Sequence, residues 1–503
     1  MSRSDDARGR LLPWMVVGLC IAHALYTSGD TIDDAYISLR YARNLVDGHG
    51  LVFNPGERVE GYTNFLWVLV GAVALRLRLP PEVFLTGVSA LACAALVRHT
   101  VRRAQALAAD DDVASAAPPG VVAGALLATC TGLALHVNGG LESVAYAALL
   151  TLAGSALVDG RARAFAVLTS LAFLTRPEGA LLGLAGTAWL LGTSRDRART
   201  LRDTVGVFAL LLGPYLAWKL GYYHALLPNT LRAKRPELAA GLRYVAWLVA
   251  WGGALLAATL VGAPATLRVR ARRMYLAMWA THVVAVALQG GDWMDGYRLL
   301  LPSLPWLFIA LDGPLRTILT RPASARRGVA LVAALGALGW WSFVHVMSTG
   351  DLREKVARTM LRDELRGALA HEVVARGYRS VATFDIGFTG FVEPRLRVVD
   401  LGGLTDADIA RAPGTHWERE IPASLFLARA PELTLVTVTL PSRRYAYGVE
   451  QRLVESPWFQ REYRGLCAVG VGGYYGLLIY VRRSLPRAPM LEGCAPPGVA
   501  FGR

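Results

Sequence analysis

The chain has 503 residues, 54% of them hydrophobic and 18% charged, with a positive mean hydropathy and a net charge of +15. That composition excludes disorder and is not that of an ordinary soluble protein. Nucleic-acid binders gather basic residues and aromatics on one face. Here short arginine groups separate long apolar runs, as in a polytopic membrane protein, and lysine occurs only at Lys219, Lys234 and Lys355.

A hydrocarbon core about 30 Å thick takes roughly 17–25 apolar residues per helix. The runs at 11–28, 82–98, 119–137, 142–158, 163–175, 177–192, 203–220, 241–262, 274–289, 299–312 and 328–347 predict eleven spans. The first follows Arg3, Arg8 and Arg10 in the manner of a signal peptide. No small-x-small cleavage site follows it and many more spans do, so it is read as a helix. The run "FLWVLVGAVALRLRL" (65–79) carries Arg76 and Arg78 in its last third and is read as an interfacial helix. Counting it as a span would reverse the sidedness of every later loop. With eleven spans, the groups Arg98, Arg102 and Arg103, those at 195–202 and 268–273, and Arg316, Arg321, Arg326 and Arg327 share one side. The positive-inside rule makes that side cytoplasmic, with the N-terminus inside and the C-terminus outside.

The polar stretches 31–64, "HVNGGLES" (136–143), "TRPEG" (175–179), "YYHALLPNTLRAKR" (222–235) and "GGDWMDGYR" (290–298) then all face outward. From about residue 350 the pattern changes. A polar amphipathic helix at 351–377 precedes β-rich runs such as "SVATFDIGFTGF", "RLRVVDLGGLTD", "LTLVTVTL" and "YYGLLIYVRR". Two domains are expected: residues 1–349 in the membrane, with the external loop 29–81, and an external α/β domain at 350–503 that suits glycan binding. Cys20, Cys93 and Cys130 lie in apolar spans, whereas Cys467 and Cys494 lie where oxidation is permitted and can pair.

After the first span, "DDAYISLRYARNLV" (33–46) mixes apolar and charged residues as a helix along a surface does. Asp33 and Asp34 stand at its start, where carboxylates cap free amides and meet the helix dipole favourably. The longer stretch "DDAYISLRYARNLVDGHGLVFNPGERVEGYTNFLW" also resembles the first external loop of the GT-C glycosyltransferases, polytopic enzymes that use polyprenyl-phosphate sugars. It is most similar to that of the bacterial terminal arabinofuranosyltransferases, which use decaprenyl-phosphoryl arabinofuranose. "NGGLES", "LTRPEG", "YYHALLPNTLRAKR", "GGDWMDGYRLLLP" and "DIGFTGF…VVDLGGLTD" follow in order, so the resemblance reaches from residue 31 to 406. The chain departs from the family at "HVNGGLES", where an SGLET-like form is usual, and in its short external domain. Both departures bear on the acceptor.

The resemblance implies the GT-C fold, about eleven transmembrane helices with an external α/β domain, in a bacterial plasma membrane. It implies transfer of a pentose, favoured as arabinofuranose, to a cell-envelope glycan with inversion. Asp33 would be the base that deprotonates the acceptor hydroxyl, with Asp34 holding acceptor or geometry. Cations must steady the phosphate that leaves, and the candidates are Arg40, Arg176, Lys219, Arg232, Lys234 and Arg298. Glu60, Tyr62, Glu142, Asn229 and Asp292 are candidates for acceptor or sugar. No metal-ligand spacing occurs at His49, His136 or His224, so no zinc site is expected, and nothing in the sequence requires the divalent cation that paired acids can bind.

Each candidate has a structural alternative. Arg40 can snorkel, Arg176 can pair with Glu178, and the lysines can mark membrane boundaries. Glu60 and Tyr62 can shape a turn, Glu142 can cap a helix, and Asp292 with Arg298 can form an ion pair. Trp417, Trp458, Tyr474 and Tyr475 can stack on sugars or pack a core. A GT-C enzyme acting on a protein or lipid with another prenyl-phosphate sugar is the first alternative function. A transporter or flippase should show repeats or mid-span charges, and a membrane-anchored binding protein leaves the polar motifs of the membrane half unexplained.

Overall fold

The computed structural model of the chain describes residues 3–27, 29, 31–110, 117–320, 324–485 and 491–495; the loop residue Arg321 lies outside them. Helices dominate its first three-quarters. In chain order they are α1 (Arg3–Tyr26), α2 (Asp33–Val46), α3 (Phe65–Arg76), α4 (Pro81–Leu107), α5 (Val121–Ala128), α6 (Thr131–Asn138), α7 (Ser143–Val158), α8 (Ala162–Thr175), α9 (Gly179–Thr193), α10 (Arg197–Leu201), α11 (Val207–Tyr223), α12 (Asn229–Ala233), α13 (Leu238–Gly262), α14 (Arg270–Leu288), α15 (Leu304–Thr320) and α16 (Ala325–Ala375). The chain forms two compact units. One holds Met1–Gly29, Leu85–Tyr215 and Pro236–Glu354; the other holds Asp30–Phe84, Leu216–Arg235 and Lys355–Arg503. The C-terminal residues thus share a unit with the first polar loop and with 216–235, beyond the stretch 350–503 drawn from sequence.

Each expected span falls on a helix or on the α5–α6 pair. Among the described residues, α1, α4, α10 continued into α11, α13 and α16 are long and apolar enough to cross a bilayer, and the pair α5–α6, bent by 55°, makes a sixth if it is one span. The chain is a multi-pass membrane protein. The helices α7, α8 and α9 are shorter, covering about 21–24 Å at 1.5 Å per residue. The twelve-residue α3 covers about 18 Å, too little to cross a core about 30 Å thick. Sequence reading separates a span ending at 347 from a helix beginning at 351, but α16 runs unbroken for 51 residues. Gly350 alone costs a helix about 1 kcal/mol, and no proline follows to stop it.

The first unit is built on an apolar core that includes Leu96, Leu133, Val144, Leu255 and Phe308. Within it Trp251 stacks on Trp341 at 4.3 Å between ring centroids. One buried acid of this unit is held by backbone amides and a cation. Asp312 of α15 accepts the backbone N–H groups of Gly120, Val122 and Ala123 at the start of α5 and pairs with Arg316 at 3.0 Å.

The second unit carries a mixed sheet. Its strands are β1 (Ser380–Thr383), β2 (Arg397–Asp400), β3 (Leu433–Thr439), β4 (Arg444–Tyr445), β5 (Tyr463–Val471) and β6 (Tyr475–Arg482), in the order β2-β1-β3-β6-β5 with β4 on β3. β1 runs parallel to β2 and β3; β6 runs antiparallel to β3 and β5. Short helices α17 (Gly387–Val392), α18 (Ala407–Arg411), α19 (Ala423–Arg429), α20 (Gly448–Glu455) and α21 (Pro457–Glu462) complete it. The β5–β6 turn needs left-handed backbone at two successive residues, supplied by Gly472 and Gly473. Cys467 and Cys494, a pairing the sequence allows without requiring, form a disulfide with Cα atoms 5.5 Å apart.

Candidate active site

The second unit gathers the acids. The helix α2 is more enclosed than a surface helix: Ala35, Ile37, Leu39, Arg40, Tyr41 and Ala42 are all buried. Gly71 of α3 lets α2 approach, lying against Leu39 and Ala42. Asp33 does not cap its own helix, whose N-cap is Ile32 without a side-chain bond. Its two carboxylate oxygens accept instead from Gly387 N–H at 3.0 Å and Phe388 N–H at 2.8 Å, the opening amides of α17. One hydrogen bond on each oxygen fixes the carboxylate plane and leaves lone pairs for a proton.

Asp385, two residues before that amide pair, is a functional candidate that sequence reading missed. It lies just past the carboxyl end of β1 and is held by Arg366 at 2.7 Å and by the Tyr447 hydroxyl at 2.8 Å. Burial, with the Asp385 carboxylate adding to it, pushes the Asp33 carboxyl up to about 6. Two acids meeting at one strand end raise the pKa of one of them. The "DIGFTGF" segment supplies both Asp385 and the amides that hold Asp33, and the pattern D-x-G before a short helix was the available signal. Asp34 is half-buried.

Beside Asp385 stands an aromatic group. Tyr447 stacks on Phe384 at 4.0 Å, and Trp417 lies 5.6 Å from Tyr447, both half-buried. Buried His416 is driven down to about 3 by burial and then by Lys234; as a neutral ring it donates Nδ1–H to Gly402 O at 2.8 Å. Of the other aromatics singled out, Trp458 packs on Phe426, Tyr475 is buried against Arg366, and the Tyr474 hydroxyl donates to Arg358 O.

Several expected ligand-binding cations are committed elsewhere. Arg40 is 1% exposed and donates to Phe53 O, Gly390 O, Leu396 O and Asn54 Oδ1, four of its five donors. It braces the unit rather than facing a phosphate. Lys219 pairs with Glu60 at 2.8 Å, both buried, and Glu60 O accepts from Asn229 N–H at 2.9 Å. Asn229 also donates to Gly403 O and Leu404 O. Tyr62 is buried with its hydroxyl 3.2 Å from that of Tyr223. Glu60, Tyr62 and Asn229 therefore form a buried polar core that ties 51–62 to 216–235, a packing role that neither the ligand reading nor the turn reading of Glu60 and Tyr62 described. The "VVDLGGLTD" acid Asp400 is likewise internal, accepting the N–H groups of Gly402, Gly403 and Thr405. Arg232 is exposed and Lys234 half-buried, and neither has an ion pair among the described residues.

The first unit holds the remaining candidates in two clusters. Arg176 bonds Glu142 at 2.7 Å and Glu178 at 2.9 Å, so its fork is filled by two carboxylates. Those two partners raise the Arg176 pKa against the opposing effect of burial. Asp292 and Arg298 form an ion pair, as their alternative reading has it. The nearby Gly296 lets this loop lie against His136. Among the described residues no group of three or more histidine, cysteine or acidic side chains is gathered as a metal site.

Residues 353–480 match a family described as a domain of unknown function (DUF8728). The chain is 28% identical over 333 residues to the terminal β-(1→2)-arabinofuranosyltransferase of Corynebacterium glutamicum, covering 54% of this chain and 46% of that one. It is 33% identical over 230 residues to the enzyme of the same name from Mycobacterium tuberculosis, covering 40% and 34%. The chain thus spans less than half the length of either curated relative. Two known structures superpose over nearly all of it. ArnT from Cupriavidus metallidurans bound to undecaprenyl phosphate has a TM-score of 0.51 at 12% identity, covering 93% of this chain and 97% of its own. The chain has the GT-C fold. The archaeal oligosaccharyltransferase AglB from Archaeoglobus fulgidus, in complex with an inhibitory peptide and a dolichol-phosphate, has a TM-score of 0.57 at 10% identity, covering 97% and 75%. In sequence the chain resembles the terminal arabinofuranosyltransferases, and in fold both known structures.

Proposed function

We propose that the chain is an inverting membrane glycosyltransferase that moves a pentose, favoured as arabinofuranose, from a polyprenyl-phosphate donor to a cell-envelope glycan outside a bacterial plasma membrane. The observation that carries this reading is Asp33: a half-buried carboxylate, oriented by two backbone amides, with its pKa raised to about 6. A base works best with a pKa near the operating pH, because it is then ionised yet still proton-hungry. An ordinary carboxylate is a weaker base, and a fully buried unpaired one would stay protonated.

In the proposed step, the acceptor oxygen attacks the anomeric carbon while Asp33 removes its proton. The bond from that carbon to the phosphate oxygen breaks, and the polyprenyl phosphate leaves as a monoester with one more negative charge. Arg232 and Lys234 are the cations left to receive it, since Arg40, Arg176, Lys219 and Arg298 already serve protein partners. Lys234 and Asp385 both lie within electrostatic reach of His416, and Asp385 within reach of Asp33, which supports one site in this unit. Trp417 and Tyr447 offer aromatic surface to an acceptor sugar beside the acids. The relatives' names support the sugar and the glycan acceptor; the lipid phosphates bound to the two known structures support the donor class.

The test is a transfer assay with purified chain, a short arabinan acceptor and a panel of synthetic prenyl-phosphoryl sugars. Turnover with the arabinofuranose donor above the others is expected. Turnover with a different sugar alone would overturn the pentose assignment and keep the donor class.

A further inference from the structure

The first unit contains a cavity of about 570 Å³ that no step above uses. It lies between one face of α9 and one face of α14, closed by Leu150 and Leu157 of α7 and by Trp306 of α15. Its α9 wall recurs at residues 178, 181, 182, 185, 186 and 189, and its α14 wall at 270, 273, 274, 277, 278, 281 and 282, the spacing of a single helical stripe. The small residues Ala185 and Ala277 line its middle, where longer side chains would fill the space, while Gly186 lets α9 lie close against Phe165 and Leu157.

The two ends of the cavity differ in charge. At one end, Glu178 is bound to Arg176, which Glu142 also holds, so two carboxylates face one guanidinium. At the other end stand Arg270 and Arg273, both exposed and neither paired with a carboxylate among the described residues. Arg270 also lies over the Trp189 ring at 5.7 Å. From Arg270 to His282 is about 18 Å of helix, close to half of a hydrocarbon core about 30 Å thick.

We propose that this groove binds one acyl chain of an anionic glycerophospholipid, with its phosphate on Arg270 and Arg273 at the membrane face where α14 begins. Charge decides the direction. A lipid phosphate at the Glu178 end would meet an excess of negative charge, whereas the arginine end has two unspent cations that suit a phosphate fork. Length and lining suit a tail one leaflet deep. The lining of the groove belongs to the first unit, whereas Asp33 belongs to the second.

The experiment is native mass spectrometry of the full chain in mild detergent, titrated with dioleoylphosphatidylglycerol or dioleoylphosphatidylcholine. The anionic lipid should be retained about tenfold or more over the zwitterionic one, as expected of two arginines at a lipid surface. The Arg270→Ala/Arg273→Ala pair should abolish that preference. Ala277→Trp, which fills the groove, should reduce retention of both lipids while the thermal transition stays in place. No preference in the wild type, or a preference that survives both variants, would overturn the proposal. So would displacement of the phospholipid by a polyprenyl phosphate that binds the arginine-free variant equally well, since the groove would then belong to a donor tail.

Discussion

Replacing Arg40 by methionine separates a structural from a phosphate-binding role. The guanidinium donates to Phe53 O and Gly390 O at 2.6 Å, Leu396 O at 2.7 Å and Asn54 Oδ1 at 3.1 Å. Phe53 O keeps a second donor in Asn44, and Asn54 Oδ1 keeps the Val398 N–H, so these two lose least. Gly390 O and Leu396 O lose a charged donor, at about 1–3 kcal/mol each for a buried group left unsatisfied. Loss of the guanidinium from the face of Phe53 adds about 1 kcal/mol. The opposing effect is desolvation, since burial pulls Arg40 down to about 9 and removing the charge returns that cost. The carbonyls stay in place whatever happens to the charge, so the expected loss sits low in the range, at about 3 kcal/mol. At roughly 2–4 °C per kcal/mol, the melting temperature should fall by about 6–12 °C. Arg40→Lys should fall between, because one ammonium cannot reach three separated carbonyls. The assay is tryptophan fluorescence on heating in detergent, with donor KM measured in parallel. An unchanged melting temperature with a KM raised tenfold would refute the bracing argument and return Arg40 to the phosphate.

Other outcomes follow from the same geometry. The base must be ionised, so kcat/KM should fall tenfold per pH unit below about 6. Asp385→Asn removes a like charge that raises Asp33, so this acid limb should move to lower pH; an upward move would contradict the pairing. Lys219→Met leaves the buried Glu60 carboxylate without its cation and should cost about 3–5 kcal/mol, and adding Glu60→Gln should recover much of it. Reducing the Cys467–Cys494 bridge, which closes a loop of separation 27, should destabilise the second unit by about 3.5 kcal/mol on the loop-entropy estimate. Equal denaturation midpoints for wild type and Cys494→Ser would count against that value.

Much of the membrane half was legible because apolar runs and arginine groups are long-range patterns that local detail does not blur. The expected spans 241–262 and 274–289 became α13 and α14 almost unchanged. The strand signals at 380–383 and 433–439 held for the same reason, whereas β5 was missed because Arg464, Gly465 and Gly470 dilute its apolar alternation. The site was harder. A list of cations in loops does not say which are already paired, and only packing reveals that Arg40 is buried among carbonyls and that Arg176 is gripped by Glu142, 34 residues away in sequence. Asp33 was legible as an important acid, but its partners are Gly387 and Phe388, more than 350 residues on. No local pattern carries that information.

The most direct test of the central claim is single-turnover transfer from decaprenyl-phosphoryl arabinofuranose to arabinan by the wild type, Asp33→Asn and Asp34→Asn, each shown folded by its melting temperature. Asp33→Asn should lose at least a hundredfold in rate, within the range for removal of a general base, and more than Asp34→Asn loses. Wild-type turnover that Asp33→Asn matches would contradict the account.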